Sequence, residues 1–194
     1  MFVVVDGMLG YGALRFGSSR WSTYADSLMT GNRSGEAFYG SISVTSESRW
    51  DKWRLAPYVR FDAMHNAFNS YTESGAAAWA MSYQSMAVDS KSFALGMRVA
   101  YDFDMSQYRI TPSTRVEFVR FINGGATQGI AYANDPSVIY PMTLPGDLSS
   151  AIQGSVGFTV QAREGVQTGL EYLYTTSGKS GYSNGVRGTL KIPF

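Results

Sequence analysis

The chain holds one imidazole, His65, and it stands three residues after Asp62. An Asp/His pair could activate water for hydrolysis, and Glu117 with Glu171 could divide general acid and base roles between two carboxylates. Each possibility has a plainer counterpart. The partner carboxylates that a hydrolytic His65 would need are not evident in the other loops, which leaves a histidine at a strand end beside a long loop. Glu117 and Glu171 alternate with arginines and are placed to neutralise them. Gly124-Gly125 and the glycines from Gly178 to Gly181 are loop glycines, because no helix follows to complete a phosphate-binding loop. With Cys 0 there is no disulfide framework, thiol nucleophile or cysteine zinc site, and a single His leaves no metal centre. The scattered methionines imply no cofactor, and a net charge of +1 gives no electrostatic case for nucleic acid.

The elements that carry these residues read as strands. Charged residues are 16% of the chain, while Trp 4, Tyr 13, Phe 11 and Gly 21 favour strands joined by turns. From Trp53 to Met64 one parity is Trp53, Leu55, Pro57, Val59, Phe61 and Ala63, and the other carries Arg54, Tyr58, Arg60 and Asp62. Side chains alternate across a strand, so one face is apolar and the other ionic. The pattern repeats at 93–101 and 108–118, and further runs lie at 36–48, 152–161, 166–175 and 186–194. Weaker strands are expected at 3–16, 126–134 and 138–144. Pro57 and Pro112 fall inside strands and predict bulges or gaps in the ladder.

The connections are of two kinds. Arg49 to Lys52, Phe103 to Gln107 and Arg163 to Gly165 are tight turns, whereas 17–35, 67–86 and 176–183 are long and rich in Gly, Ser and Asn. Following the chain up and down gathers the tight turns at one end and the long segments at the other, the arrangement of an outer-membrane barrel.

Alternation alone also suits a soluble sandwich with its apolar face inward. Three features favour the membrane. Trp50, Trp53, Tyr101, Phe103 and Tyr108 collect at the tight-turn end, where amphipathic rings would sit at a bilayer interface. The ionic parity carries Arg54, Arg60, Asp62, Arg98, Asp102, Arg109, Arg115, Glu117, Glu171, Arg187 and Lys191, a mixed-sign set suited to lining a wet lumen. The chain closes with Val186, Leu190, Ile192 and Phe194 in alternation, which resembles the terminal strand that the barrel-assembly machinery of bacterial outer membranes recognises. Apolar runs are too short for a membrane helix.

Gly10-Tyr11-Gly12-Ala13-Leu14-Arg15-Phe16, Arg33-Ser34-Gly35, Trp53-Arg54-Leu55-Ala56-Pro57-Tyr58, Tyr71-Thr72-Glu73-Ser74-Gly75, Gly169-Leu170-Glu171-Tyr172 and Leu190-Lys191-Ile192-Pro193-Phe194 together resemble the C-terminal translocator domain of type V autotransporters. The resemblance covers nearly all of 1–194 and implies an all-β, antiparallel transmembrane barrel in the outer membrane of a Gram-negative bacterium. Such a domain exports and anchors an N-terminal passenger without cofactor or catalysis, and its partners are outer-membrane lipid, the assembly machinery and the passenger in the lumen. About ten strands of the family's twelve are expected here, with the linker helix and the first strands missing. Two alternatives remain: a free-standing outer-membrane barrel that binds ligands or surfaces through its long loops, and a ten-stranded outer-membrane protease using His65.

Overall fold

The computed structural model describes residues 1–76, 78–162, 165–177 and 181–193. Its strands are β1 (Phe2–Ser22), β2 (Ser27–Trp50), β3 (Trp53–Phe68), β4 (Tyr71–Thr72), β5 (Met81–Tyr83), β6 (Met86–Tyr101) and β7 (Phe103–Asp104). They continue as β8 (Tyr108–Asn123), β9 (Ala126–Tyr132), β10 (Asp135–Leu144), β11 (Asp147–Ala162), β12 (Gln167–Ser177) and β13 (Gly181–Lys191). One sheet runs in the order β1-β2-β3-β6-β8-β11-β12-β13, with β7 also on β8, and every pairing in it is antiparallel. The sheet curls, so that residues of both end strands, Phe2 and Val4 on β1 and Arg187 and Thr189 on β13, line the same cavity. Those two end strands are not paired with each other among the described residues.

The alternation sorts the two faces as an inside-out protein. Leu95 is 55% exposed, Val156 60% and Leu190 65% on the convex face, whereas Glu117 on the concave face is 0% exposed. The convex apolar band on β3 and β6 lies between the paired rows Trp53↔Tyr101 and Phe61↔Phe93. That spacing is close to the roughly 9–11 residues a tilted strand needs to cross a bilayer. Above the band the same parity turns polar with Lys91, Asp89, His65 and Arg120.

Both prolines sit where the ladder is interrupted. The β2–β3 pairing skips from Thr45↔Tyr58 to Ser48↔Leu55 with its register unchanged, leaving Pro57 in the gap. Pro112 lies between Ala100↔Ser113 and Phe103↔Ile110, which puts its missing N–H where no ladder bond is made.

The connections differ from the expectation at three places. Residues 17–35 are not a long loop: β1 and β2 pair without a break from Phe2↔Glu47 to Ser22↔Ser27, and only Thr23 to Asp26 turn. Asp26 takes a positive φ of 46° in that turn and Asp51 one of 52° in the turn before β3, conformations that Asp tolerates better than most residues. The segment 176–183 is largely strand, since β12 ends at Ser177 and β13 begins at Gly181; the connection 178–180 lies outside the described residues. Residues 126–134 and 138–144 do form strands, β9 and β10, but these are not part of the wall. They join β5 and β4 in a second sheet of order β10-β9-β5-β4, so the wall runs directly from β8 to β11.

This second sheet is made from the two long connections 69–85 and 124–146, and the β5–β9 pairing (Met81↔Tyr132) joins one to the other. A bridge between Thr30 and Ser74 ties it to the upper part of β2. It stands as a collar at the end of the barrel opposite the tight turns.

Candidate functional site

The concave face of the wall encloses a cavity of about 870 Å³. Arg54, Arg60, Arg98, Arg109, Arg115, Glu171, Arg187 and Lys191 all line it, as their parity predicts. Asp62, Asp102 and Glu117 lie behind that lining and hold the arginines. Asp102, 1% exposed, accepts from Arg49 at 2.7 Å, Arg54 at 2.8 Å and the Thr111 hydroxyl at 2.8 Å. Asp62 accepts from Ser41 at 2.7 Å, Arg60 at 3.0 Å, and Tyr39 and Ser92 at 3.1 Å. Glu117 accepts from Arg60 at 2.9 Å and from the Tyr58 hydroxyl. Glu171 pairs with Arg187 on the next strand, and Arg109 with Asp104 at 2.5 Å by the tight turn. A buried charge is tolerated only when it is paired and hydrogen-bonded, and removing one partner of such a pair costs about 3–5 kcal/mol.

The row that holds Glu117 explains its neighbours. Tyr58 pairs with Gly96 and Gly96 with Glu117 across β3, β6 and β8. Because Gly96 has no side chain, the Tyr58 ring lies over it and carries the hydroxyl across one strand to the carboxylate. A side chain at position 96 would occupy the same space, since its Cβ would stand 2.5 Å from the Tyr58 hydroxyl oxygen and closer still to Cζ.

Asp62 and His65 do not meet. They project from opposite faces of β3, Asp62 into the lumen and His65 outward, where its Nδ1 pairs with Asp89 Oδ1 at 2.7 Å. Glu117 and Glu171 are each engaged by an arginine and not by one another. The aromatic set sits as expected at the tight-turn end: Trp53 and Tyr101 rings are 4.9 Å apart, Tyr101 and Phe103 4.6 Å, and Trp50 and Tyr108 are exposed nearby. Val186, Leu190 and Ile192 are exposed on the convex side, and Phe194 lies outside the described residues.

Parity accounts for the lining; the distant partners it did not reveal. Arg49, Asp6 and Glu47 also face the cavity. The collar is locked by a network whose members are far apart in the chain. Arg20 near the tip of the β1–β2 hairpin donates to Glu73 at 2.5 and 3.2 Å and to the Trp79 carbonyl at 3.1 Å. Glu73 also accepts from the Met81 N–H at 3.0 Å and from the Tyr83 hydroxyl at 3.4 Å. Burial pushes the Glu73 carboxyl up, but the bonds from Arg20 and Met81 and the arginine charge more than offset it and hold the carboxyl below its usual range. Burial, followed by the fields of Glu73 and Tyr71, pushes the Tyr83 phenol up to about 12. Arg33 clamps the start and end of the 69–85 connection by donating to the Asn69 and Gln84 carbonyls at 2.8 and 3.0 Å, with its guanidinium 5.2 Å from the Phe68 ring centroid.

The Autotransporter beta-domain family model matches residues 3–173. The chain belongs to the autotransporter beta-domain family. Membership places this autotransporter domain in the outer membrane of a Gram-negative bacterium, and the convex apolar band is the surface that such a setting requires. No curated protein matches the chain in sequence. Among solved structures, the RagAB peptide importer is 8% identical over 80% of this chain and 19% of its own, at a TM-score of 0.42. The siderophore receptor PiuA from Acinetobacter baumannii is 10% identical over 96% of this chain and 36% of its own, with a TM-score of 0.41. The beta domain of the Bordetella autotransporter BrkA is 13% identical over 93% of this chain and 86% of its own, with a TM-score of 0.31. The autotransporter domain thus spans about a third or less of the first two chains, and likenesses at these scores carry no argument about its function.

Proposed function

We propose that this domain is the outer-membrane pore and anchor through which an N-terminal passenger reaches the cell surface. The observation that supports it most is the division of faces: an apolar convex band, and a concave face on which Asp62, Asp102, Glu117 and Glu171 are each paired with arginine around a polar cavity. Such a lumen offers a polypeptide mainly polar and charged groups, with apolar side chains such as Phe2 and Val4 interspersed. The reading gives lipid and the barrel-assembly machinery as partners, Trp50, Trp53, Tyr101, Phe103 and Tyr108 as the interfacial girdle, and the alternating Val186, Leu190, Ile192 and Phe194 as the assembly signal. It assigns no catalytic step to the domain.

The deciding experiment follows from the topology. β1 starts at the tight-turn end, so a segment ahead of Met1 must pass through the lumen to appear at the collar end. With an exported epitope placed before Met1, antibody should label intact cells, and deletion of Phe194 should reduce both folded domain in the membrane and labelling. An epitope that stays inaccessible while the domain is correctly inserted refutes the reading. The collar end favours the second function, binding at the cell surface, because the β1–β2 hairpin presents Trp21 and Tyr24 to solvent there and the collar presents Tyr140. That reading gains if the inserted domain shows no export.

A further inference from the structure

Most arginines of the concave face are paired with carboxylates: Arg49 and Arg54 with Asp102, Arg60 with Asp62 and Glu117, Arg109 with Asp104, and Arg187 with Glu171. Arg98 and Arg115 are the exception. They are direct cross-strand partners on β6 and β8, both line the cavity, and neither has a hydrogen bond or ion pair among the described residues. The Nε of Arg115 is shielded from solvent and has no partner among them. Like charges directly opposite on one face of a sheet destabilise it, and a buried donor without an acceptor adds to the cost. The charge of Glu171 acts on Arg115, but the hydrogen bonds of Glu117 and Glu171 go to Tyr58, Arg60 and Arg187, which leaves the Arg98 and Arg115 donors unengaged. Glu47 lies in the same row but two strands from Arg98, about 10 Å at the usual strand spacing, and is paired with neither.

Guanidinium groups carried on directly paired residues and lining one cavity present planar sets of N–H donors, the geometry that binds carboxylates in a bidentate way. We propose that Arg98 and Arg115 form a carboxylate-binding site on the lumen wall, which takes Asp or Glu side chains of the polypeptide lying in the lumen. The proposal rests on the translocator reading above and specifies what that lumen prefers: acidic stretches are retained near the tight-turn end, whereas neutral stretches pass without a hold.

The test uses the full chain refolded in detergent micelles at fixed ionic strength. Its urea-unfolding midpoint is followed by tryptophan fluorescence with a hexaglutamate peptide, a hexaglutamine peptide or free glutarate. The expected result is a rise in midpoint with hexaglutamate and none with hexaglutamine. Binding to R98Q/R115Q should be about tenfold weaker, the loss of roughly one charge-assisted hydrogen bond. Without peptide, R98Q/R115Q should unfold no more easily than the parent, because a repulsion has been removed. A response to glutarate equal to that for hexaglutamate would assign the site to free small anions and overturn the polypeptide assignment. An equal hexaglutamate response in parent and variant, or none in the parent, overturns the site itself. If R98Q/R115Q does not fold, the proposed relief of repulsion is wrong, and R115Q alone then decides whether the peptide response needs this position. Loss of the peptide response while an N-terminal epitope still reaches the surface removes only this site; failure of the epitope removes the translocator reading.

Discussion

Replacing Gly96 with alanine tests the packing of the lumen wall at one atom. Gly96 is a strand glycine without a positive φ, so alanine fits the backbone, and in open surroundings the change would stabilise by about 0.5–1 kcal/mol. Here the new Cβ would stand 2.5 Å from the Tyr58 hydroxyl oxygen and closer still to the ring carbon that bears it. The ring is the movable partner, and displacing it breaks the bond to Glu117, which is 0% exposed. A hydrogen bond to a charged group is worth about 1.5–3 kcal/mol, so G96A should destabilise by about 1–2 kcal/mol after the intrinsic gain of alanine is offset. Y58F should cost about 1.5–3 kcal/mol for the same bond. The G96A/Y58F pair should then cost little more than the worse single change, because both remove one interaction. Gly188, with nothing within 4 Å of its would-be Cβ, is the control, and G188A should be neutral or stabilising. Urea-unfolding midpoints of the four variants and the parent decide the matter. A stabilised G96A, or full additivity with Y58F, would refute the idea that the glycine exists to let the tyrosine reach Glu117.

Acid should loosen the collar before the wall. The Glu73 carboxyl is held below the ordinary glutamate value of 4.5, so its contribution is fully present above that pH and is lost as pH falls through the lower folded value. Hydrogen exchange at β4 and β5 should accelerate as pH is taken from about 5 to about 3 after correction for the intrinsic rate, and E73Q should remove most of that dependence. Arg33 holds both ends of the 69–85 connection, so R33A should expose that segment to limited proteolysis at neutral pH while the wall remains protected. Cleavage first in the β1–β2 hairpin would contradict the clamp.

The alternation from Trp53 to Met64, and its repeats at 93–101 and 108–118, was enough to place each ionic residue on one face, because a period of two fixes the face whatever the fold around it. For the same reason the lining arginines and the outward valines and leucines were legible from the sequence, as was the gathering of aromatic rings at the tight-turn end. Asp62 and His65 were close in sequence yet three positions apart in a strand, an odd separation that sends them to opposite faces. The alternation itself therefore argued against their acting as a pair.

Sequence alone determined that strands would form, which side of each is apolar, and that the tight turns share one end, since these depend on local residue order. Tertiary structure decided which strands are neighbours. The runs 126–134 and 138–144 have strand character, and the second even alternates exposed Val138, Tyr140, Met142 and Leu144, yet both fold into the collar with β4 and β5 instead of entering the wall. Likewise, nothing local pairs Arg20 with Glu73, Tyr58 with Glu117 across Gly96, or Arg98 with Arg115. Those contacts arise only when strand register brings distant segments side by side, and register is set by the summed pairing of whole strands and not by any short motif.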